Sequence, residues 1–336
     1  MHSRIRDYFA DRGNPPEIGP REYGFVDMFC GIGGASQGAS EAGLKVCTAV
    51  DYSAKLLTLH KDNHPGVKHV CAELPNLSGV QLPVSGRWHL HGSPPCTKVS
   101  NANRLVSVEE RAHGVYLVKW FLEFALNSEA TTWSMEQVPA GPVIEVVQNA
   151  MSRYEGKLDY CIVDCVKLGV PQKRRRLFAG SPMLISKLRR RRAAKTAVRD
   201  FIANPRGTHT RLETCSGTSV TYNDGKKVKY SKTYSWDDLC RPLNEPCHTI
   251  TASHGLRWAN PGTRSKTFKM NRHEIKVLQT FPPDYKLNCS NTLGTMGVGN
   301  AVPPAAMRAL LKPITQLLSR PRIIADPDSP SHHYRP

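Results

Sequence analysis

From residue 23 onward, short apolar runs of strand character alternate with segments of helical periodicity. The strand-like runs cover residues 25–29, 45–51, 88–91, 132–138 and 160–166, and the helical segments cover residues 38–43, 54–63 and 115–126. Alternation of this kind is typical of a largely parallel sheet with helices on both faces. We therefore predict an α/β fold built on a doubly wound, Rossmann-like sheet.

The pattern changes after Pro182, where the chain becomes basic, polar and rich in turn residues as far as Pro246. Helical periodicity returns at residues 273–279 and 305–318. We interpret the middle segment as a smaller basic domain inserted into the larger one. The predicted division is an N-terminal extension (1–22), the first part of the larger domain (23–182), the inserted domain (183–246), the return to the larger domain (247–319) and a mobile tail (320–336).

The formal net charge of +18 is concentrated in one stretch of the chain. Between Asp164 and Asp200 there are twelve Lys and Arg residues and no acidic residue. Such a block suits a polyanion, because each neutralised phosphate releases condensed counterions. For residues 189–192 a solvated face or a nuclear import signal is the alternative. The basic residues that we expect to bind nucleic acid are Lys173, Arg175, Arg189, Arg190, Arg191 and Arg192.

The ten cysteines form no Cys-x-x-Cys pair and show no zinc-finger spacing, so neither a structural metal nor a disulfide framework is predicted. Residues 1–23 contain no apolar signal core. No later run approaches the roughly 18 to 20 apolar residues of a membrane span. We expect an intracellular protein that does not enter a membrane.

The first predicted strand runs into a glycine-rich loop that contains Phe29, Gly31 and Gly33. Glycines at this point allow a tight turn and a close approach of a cofactor to the backbone. Asp51 ends the second strand, where an acidic residue hydrogen-bonds a ribose hydroxyl. Glu73 follows the next apolar run, within reach of an adenine amino group in the same crevice. For either acid, a helix N-cap or a surface charge is the alternative.

Two prolines precede a cysteine after the strand-like run 88–91. Pro94 and Pro95 restrict the backbone, so Cys96 belongs to a loop of nearly preset conformation. Such rigidity suits a reactive thiol, although a turn that ends in a small buried cysteine is the alternative.

Two later segments carry charged groups in strand-like settings. Glu136 lies at the end of an apolar run, where partial burial suits a carboxyl group to donate a proton. Alternation along an extended chain places Arg174 and Arg176 on one side of the backbone. Lys173 and Arg175 then lie on the other side.

Taken in order, these segments resemble the motifs of the DNA (cytosine-5) methyltransferase family, from residue 23 to about residue 318. The resemblance implies a Rossmann-like methyltransferase domain, with the insert at 183–246 as its target-recognition domain. Further similar blocks cover residues 241–251 and 274–282. The segments that carry the resemblance are Asp27-Met-Phe29-Cys-Gly31-Ile-Gly33-Gly34, Pro95-Cys96, Glu136-Gln137-Val138, Gln172-x-Arg174-x-Arg176 and Gly299-Asn300-Ala-Val302-Pro303-Pro304.

The family resemblance implies methyl transfer to carbon 5 of a flipped cytosine in double-stranded DNA. Cys96 would attack carbon 6, while Glu136 interacts with N3 and the exocyclic amine. Arg176 would hold the O2 oxygen, and Arg174 would organise Glu136 and a nearby phosphate. The resemblance also adds Gln172 to the residues expected to bind nucleic acid.

The implied cofactor is S-adenosylmethionine, with S-adenosylhomocysteine as its product. We expect a monomer that works where DNA is, in the cytoplasm of a prokaryote or virus-infected cell or in a nucleus. Restriction-modification and gene control are both open as its role, and so is the target sequence. The residues implied in cofactor binding are Phe29, Gly31, Gly33, Asp51, Glu73, Pro95, Asn300 and Val302.

Four residues depart from the family's pattern. Thr97 stands in place of glutamine, and Gln137 in place of asparagine. Glu73 replaces a common aspartate, and His273 replaces a frequent arginine. Gln137 is the departure expected to matter, because a longer side chain there could misplace the Cys96 loop and lower the rate.

Three other functions are compatible with parts of the sequence. A tRNA cytosine methyltransferase shares the whole catalytic set, although the Cys-Phe-Thr segment that marks that branch is absent from this chain. A nucleic-acid-binding regulator with little turnover leaves the intact Cys96, Glu136 and Arg176 unexplained. A dinucleotide-dependent oxidoreductase rests on the glycine loop alone.

Overall fold

The computed structural model describes residues 16–95, 108–192, 196–212, 219–223, 226–230, 239–252, 256–260 and 267–318. Cys96, Thr97, most of the N-terminal extension and the predicted tail at 320–336 lie outside these residues.

Strands and helices alternate through the first half of the described chain. The strands are β1 (Gly24–Met28), β2 (Lys45–Asp51), β3 (Lys68–Cys71), β4 (Trp88–Gly92), β5 (Thr132–Gln137), β6 (Asp159–Asp164), β7 (Arg175–Gly180), β8 (His209–Leu212), β9 (Ser219–Asn223), β10 (Lys226–Tyr230), β11 (Cys240–Pro242), β12 (Leu256–Ala259) and β13 (Thr267–Lys269). The helices are α1 (Gly34–Glu41), α2 (Ala54–Asn63), α3 (Val108–Leu126), α4 (Gly141–Arg153), α5 (Pro182–Arg189), α6 (Arg272–Leu278), α7 (Asn291–Asn300) and α8 (Pro304–Leu318). Short 3-10 turns cover Cys165–Leu168 and Val198–Asp200.

Seven strands form one sheet in the order β3-β2-β1-β4-β5-β7-β6. Neighbouring strands are parallel except around β7, which runs antiparallel to both β5 and β6. The predicted α/β class is confirmed. Two strands, β3 and β7, lie outside the predicted runs, because β3 is short and half polar and β7 begins within the arginine run.

Helices cover both faces of this large sheet. On β1, Phe25 packs into the cluster formed with α1, α5 and α8, whereas Val26 and Met28 pack into the cluster formed with α3 and α4. Alternate side chains of one strand therefore enter two apolar cores, as a doubly wound sheet requires. Burial of a side chain such as Phe121 of α3, which is 0% exposed, contributes roughly 1.5–3 kcal/mol.

The helix predictions agree best where a cap marks the start. Helix α2 matches the predicted range, and the Ser53 hydroxyl accepts a hydrogen bond from the Leu56 N–H as its N-cap. Helix α1 begins four residues earlier than predicted, because its first turn consists of glycine, alanine and serine and shows no apolar period. None of the helices in the described residues is long and apolar enough to cross a membrane.

The second half of the chain adds a smaller antiparallel sheet in the order β11-β8-β12-β13, together with a hairpin of β9 and β10. Trp258 of β12 is fully buried in a cluster that also contains Ile32 and Leu59 of the larger domain. The small sheet does not end with the predicted insert at 183–246, since β12 and β13 follow Pro246. Helix α5, inside the predicted insert, packs against β6 and α8 of the larger domain.

Four histidines in the described core are held neutral. Burial lowers the pKa of His91 to about 3 and that of His64 to about 4. Burial also lowers the pKa values of His60 and His89 well below the ordinary value. A histidine that is neutral in the core lowers stability in acid, because its imidazole binds a proton in the unfolded chain and not in the folded one.

We expect His91 to make the fold acid-sensitive. Between its unfolded pKa of about 6.5 and its folded value of about 3, the unfolded state binds one more proton. The contribution of His91 to the free energy of unfolding therefore falls by about 1.4 kcal/mol for each pH unit below about 6, and His91→Leu lacks this contribution. Urea unfolding of both proteins at pH 7, 6, 5 and 4.5 measures the difference in slope. Parallel curves would contradict the expectation.

Candidate active site

Several strand ends meet at one edge of the large sheet. The strand order reverses at β1, because β2 and β3 lie on one side of it and β4 and β5 on the other. In open α/β sheets, ligands bind at this point, in the crevice outside the carboxyl ends of the strands. The segments that follow β1 and β4, residues 29–33 and 93–95, flank the crevice.

The loop after β1 is tightly packed on one side and open on the other. Phe29, Gly31 and Gly33 have φ values of 61°, 54° and 96°. A Cβ on Gly33 would lie 2.7 Å from Tyr285 Oη and 2.9 Å from the His60 ring, so only glycine fits there. Among the described atoms, none lies within 4 Å of a Cβ on Gly31. The predicted cofactor loop thus leaves space over Gly31.

Asp51 holds this loop to the end of β2. Its Oδ2 accepts a hydrogen bond of 2.9 Å from the Gly31 N–H, and its Oδ1 accepts one of 2.9 Å from the Ser53 N–H. The side chain is 6% exposed, and burial raises its pKa. The structure therefore gives Asp51 two backbone partners, whereas its contact with a ribose stays a prediction.

Two exposed side chains lie near Asp51. Tyr52 follows it directly and is 67% exposed. Glu73 is exposed and lies two residues after Cys71, which is the register partner of Asp51 on β3. Tyr52 was not among the predicted site residues, although it is an aromatic residue directly after the acid that ends β2.

A buried acid fixes the start of α1. Asp27 is 0% exposed, and its Oδ2 accepts hydrogen bonds from the N–H and the hydroxyl of Ser36, at 3.1 and 2.6 Å. Ser36 Oγ also lies 3.0 Å from Nε2 of His60. Burial raises the pKa of the Asp27 carboxyl to about 7. These contacts anchor the first turn of α1 beneath the glycine loop.

Glu136 and Arg176 form an ion pair near the end of β5. Glu136 Oε1 lies 2.8 Å from Arg176 Nε, and the two side chains are 8% and 12% exposed. Antiparallel pairing of β5 with β7 sets Glu136 opposite Phe178, two residues beyond Arg176. The pair therefore places a carboxylate and a guanidinium side by side near the end of β5.

Arg174 lies elsewhere than expected. It is 1% exposed, and it donates through Nη1 to the Ile250 carbonyl at 2.9 Å and through Nη2 to the carbonyls of Gly299 and Ala301 at 3.0 and 3.1 Å. A DNA phosphate cannot reach a guanidinium buried this deeply. The expected phosphate contact is therefore corrected to a structural one, and the ion pair with Glu136 is made by Arg176.

Gln172 is corrected in the same way. It is 0% exposed, its Nε2 donates to Gln279 Oε1 and to the Leu278 carbonyl, and its Oε1 accepts from the Ile250 N–H. The side chain cannot contact nucleic acid. Alternation along the chain was correctly predicted here, but it does not reveal which side faces the interior.

Several of the predicted basic residues are exposed. Lys173 and Arg175 are both exposed, on the other side of the backbone from Arg176. Farther along the chain, Arg190 and Arg192 are exposed and Arg191 is half-buried.

Arg189 is tied to the larger domain. Its Nη2 donates to Asp159 Oδ1 at 2.6 Å and to the Tyr160 carbonyl at 2.8 Å. Asp159 lies four residues along β6 from Val163, the register partner of Arg176, which corresponds to roughly 13 Å. Arg189 is 51% exposed despite this pairing, so its contact with nucleic acid stays a prediction.

Gln137 fixes the backbone that leads toward Cys96. The side chain is 1% exposed; its Nε2 donates to the Pro94 carbonyl at 2.9 Å, and its Oε1 accepts from the Val138 N–H at 2.7 Å. Pro94 is buried and Pro95 is exposed. The longer side chain therefore reaches the proline segment from the end of β5.

The last predicted cofactor residues lie at the end of α7 and just after it. Asn300 is exposed, whereas the Val302 side chain is 3% exposed and packs in the apolar cluster of α1 and α8. A Cβ on Gly34 would lie 2.1 Å from the Val302 carbonyl oxygen, so the backbone at this turn rests directly on the first turn of α1. Any contact of Val302 with a cofactor must therefore involve its backbone.

We expect Gln137→Met to destabilise the protein by about 1–3 kcal/mol, because the buried Pro94 carbonyl and the Val138 N–H lose their partner. Gln148→Met is the matched control, since Gln148 is exposed and its loss costs within about 0.5 kcal/mol. Urea unfolding measures both. Equal effects would show that the Gln137 contact contributes nothing specific.

Comparison with known proteins agrees with this arrangement. The profile of the family described as C-5 cytosine-specific DNA methylase matches residues 23–181 and 182–316. The type II methyltransferase M.HgiDI of Herpetosiphon aurantiacus is 26% identical over 316 residues, covering 89% of this chain and 96% of that protein. M.HindV of Haemophilus influenzae, another type II methyltransferase, is 25% identical over 295 residues, covering 83% and 91%. The solved structure of a putative DNA modification methyltransferase from an E. coli prophage has a similar fold, with a TM-score of 0.60 at 17% identity, covering 89% of this chain and 100% of that one. The chain belongs to the C-5 cytosine-specific DNA methylase family.

Proposed function

We propose that this protein transfers a methyl group from S-adenosylmethionine to carbon 5 of a flipped cytosine in duplex DNA, as a DNA (cytosine-5-)-methyltransferase. The observation that carries the proposal is the Glu136–Arg176 ion pair, close to the segment that ends at Pro95. Family membership supplies the reaction class, and the pair supplies an acid and a cation where a cytosine edge needs them.

The crevice fits the proposed cofactor. Space over Gly31 admits a ligand against the backbone of the loop, and exposed Tyr52 offers a ring face for a purine. Exposed Glu73 and Asn300 offer polar contacts. When bound, S-adenosylmethionine supplies an electrophilic methyl group on its sulfonium.

The chemistry assigned to the protein divides among three side chains. Cys96, as thiolate, forms a bond to carbon 6, while Glu136, which takes up a proton when the base enters the site, donates that proton to N3. Arg176 keeps Glu136 in place and faces O2 with positive charge. Carbon 5 then takes the methyl group as the carbon–sulfur bond of the sulfonium breaks. A base takes the carbon 5 proton, the electron pair left behind expels Cys96 as thiolate, and the N3 proton returns to Glu136. Exposed Lys173 and Arg175 contact the DNA backbone, which offsets the few kcal/mol of unstacking.

The small sheet is assigned to target recognition. In this proposal the recognising unit extends beyond 183–246 to include β12 and β13, because their pairing with β8 makes them one sheet. Base contacts from such a unit determine which cytosine is modified. The type II methyltransferases among its relatives favour site-specific DNA modification as its role, by a monomer that acts inside the cell.

Covalent trapping tests the proposal. Duplexes containing 5-fluorocytosine in varied sequence contexts, incubated with the protein and S-adenosylmethionine, are expected to yield a protein–DNA adduct, because fluorine blocks loss of the carbon 5 substituent. Cys96→Ala should yield none. Denaturing gel electrophoresis measures the adduct.

Running tRNA in parallel, and measuring DNA binding and methyl transfer as well as the adduct, decides between the possible functions. An adduct with tRNA but not with any duplex would favour the tRNA methyltransferase. DNA binding with no adduct and no methyl transfer would favour the regulator. An adduct that survives Cys96→Ala would remove the assigned nucleophile.

Tyr52 is expected to hold the purine of the cofactor by stacking. Tyr52→Ala should weaken S-adenosylhomocysteine binding by about tenfold, since ring stacking on a base is worth about 1–3 kcal/mol. Tyr52→Phe keeps the ring and should bind as the wild type does. Phe268→Ala, at an exposed ring of the small sheet, is the control. Calorimetric titration measures the affinity, and equal binding by all variants would exclude Tyr52 from the site.

A further inference from the structure

One face of β4 and β5 is polar although it is buried. His89 and His91 of β4 are both 0% exposed, and Thr132 and Ser134 of β5 are 7% and 0% exposed. Parallel pairing sets His89 beside Thr132 and His91 beside Ser134. Residues two apart in a strand share a face, so these four side chains form one patch within the core. The ring of Phe25 stacks over both imidazoles.

Hydrogen bonds join this patch into a continuous chain. We call it the β4–β5 chain; it also includes Tyr23 before β1 and Ser93 after β4. The links are Tyr23 Oη to Thr132 Oγ1 (3.0 Å), Thr132 Oγ1 to His89 Nδ1 (2.8 Å), His89 Nε2 to Ser134 Oγ (2.8 Å), Ser134 Oγ to His91 Nδ1 (2.9 Å) and His91 Nε2 to Ser93 Oγ (3.3 Å).

The chain restricts how protons are arranged along it. A neutral imidazole has one donor and one acceptor nitrogen, and a serine hydroxyl has one proton. Ser134 is 0% exposed, and among the described residues the two imidazoles are the partners of its hydroxyl, so the hydroxyl proton goes to one of them. If it goes to His91 Nδ1, then His89 Nε2 donates to Ser134 and the His91 proton lies on Nε2. If His91 Nδ1 donates instead, the same logic places the His89 proton on Nδ1. Satisfying every link therefore gives both rings the same tautomer.

The chain ends at the segment proposed to carry the nucleophile. The Ser93 N–H donates to the Met28 carbonyl at 3.2 Å, and the Pro94 carbonyl accepts from Gln137. His91 adds a third attachment, through the Ser93 hydroxyl. Met28 and Gln137 hold the segment from β1 and β5, and His91 holds it from β4 itself.

We propose that His91 is a positioning residue for Ser93 and the Pro94–Pro95 segment, and that the β4–β5 chain acts as one cooperative unit that holds it. This inference rests on the proposed function for its catalytic consequence. The hydrogen-bond network itself does not rest on the proposed function, so one test can address the network and a second test its catalytic consequence. The alternative is that these buried polar groups are hydrogen-bonded independently of one another. In that case their loss would lower stability without changing the rate of catalysis.

The first test needs no activity. Long-range nitrogen–proton spectra of the protein labelled with 15N-histidine, assigned with His89→Leu and His91→Leu, report which ring nitrogen carries the proton. Both rings are expected to be neutral at pH 7 with the proton on the same nitrogen. Protons on different nitrogens, or fast exchange in one ring beside a fixed tautomer in the other, would overturn the cooperative unit.

The second test compares two matched variants. Thr132→Val breaks the chain far from the crevice, and Thr48→Val removes an equally buried hydroxyl, bonded to the Gln81 carbonyl, outside the chain. Thr132→Val should slow adduct formation with 5-fluorocytosine DNA about threefold, and His91→Leu about tenfold, because small displacements of reacting groups cost large factors in rate. Thr48→Val should keep the wild-type rate, and S-adenosylhomocysteine affinity should be unchanged in all three.

A double-mutant cycle completes the design. His91→Leu and Ser93→Ala act through one hydrogen bond, so the double variant should be no slower than the slower single variant. Additive effects, or wild-type rates in Thr132→Val and His91→Leu, would overturn the positioning role. A wild-type protein that forms no adduct would instead contradict the proposed function, while the spectra still decide the network.

Discussion

A buried guanidinium determines how the first and last parts of the larger domain meet. Arg174 is 1% exposed, so its N–H groups must find acceptors inside the protein, and a buried charge left without them would cost several kcal/mol. It finds the carbonyls of Ile250, Gly299 and Ala301, which belong to segments far apart in sequence. Gln279 donates to the same Ala301 carbonyl. These hydrogen bonds attach the returning part of the chain to the larger domain at Arg174, two residues before Arg176.

Sequence patterns predicted the larger fold well, because its strands are buried on both faces and read as apolar runs. They also predicted the sides of the backbone taken by Arg174 and Arg176. Which side of this backbone segment faces the interior depends on segments more than 70 residues away, and a local sequence pattern carries no information about them. Gln172 and Arg174 were therefore placed at the DNA, whereas both lie in the core.

Charge composition was the weaker guide at the candidate site. A run of arginines does not show which members also pair within the protein, as Arg189 does with Asp159. The polar patch on β4 and β5 could not be recognised from the sequence for a related reason. His89 and His91 were read as members of an apolar strand, and their partners come from a strand that follows a long helix.

The small sheet shares its apolar cluster with the larger domain, and this limits its modularity. Trp258 packs in one cluster with Ile32 and Leu59, so the interface is a continuous core and not a hinge between separable units. A recognition sheet transplanted from a relative would have to bring a complementary ring or leave a cavity under the cofactor loop. Under the proposed role of this sheet in target recognition, specificity is therefore easier to exchange by substitution on the sheet's outer face than by exchange of the whole unit.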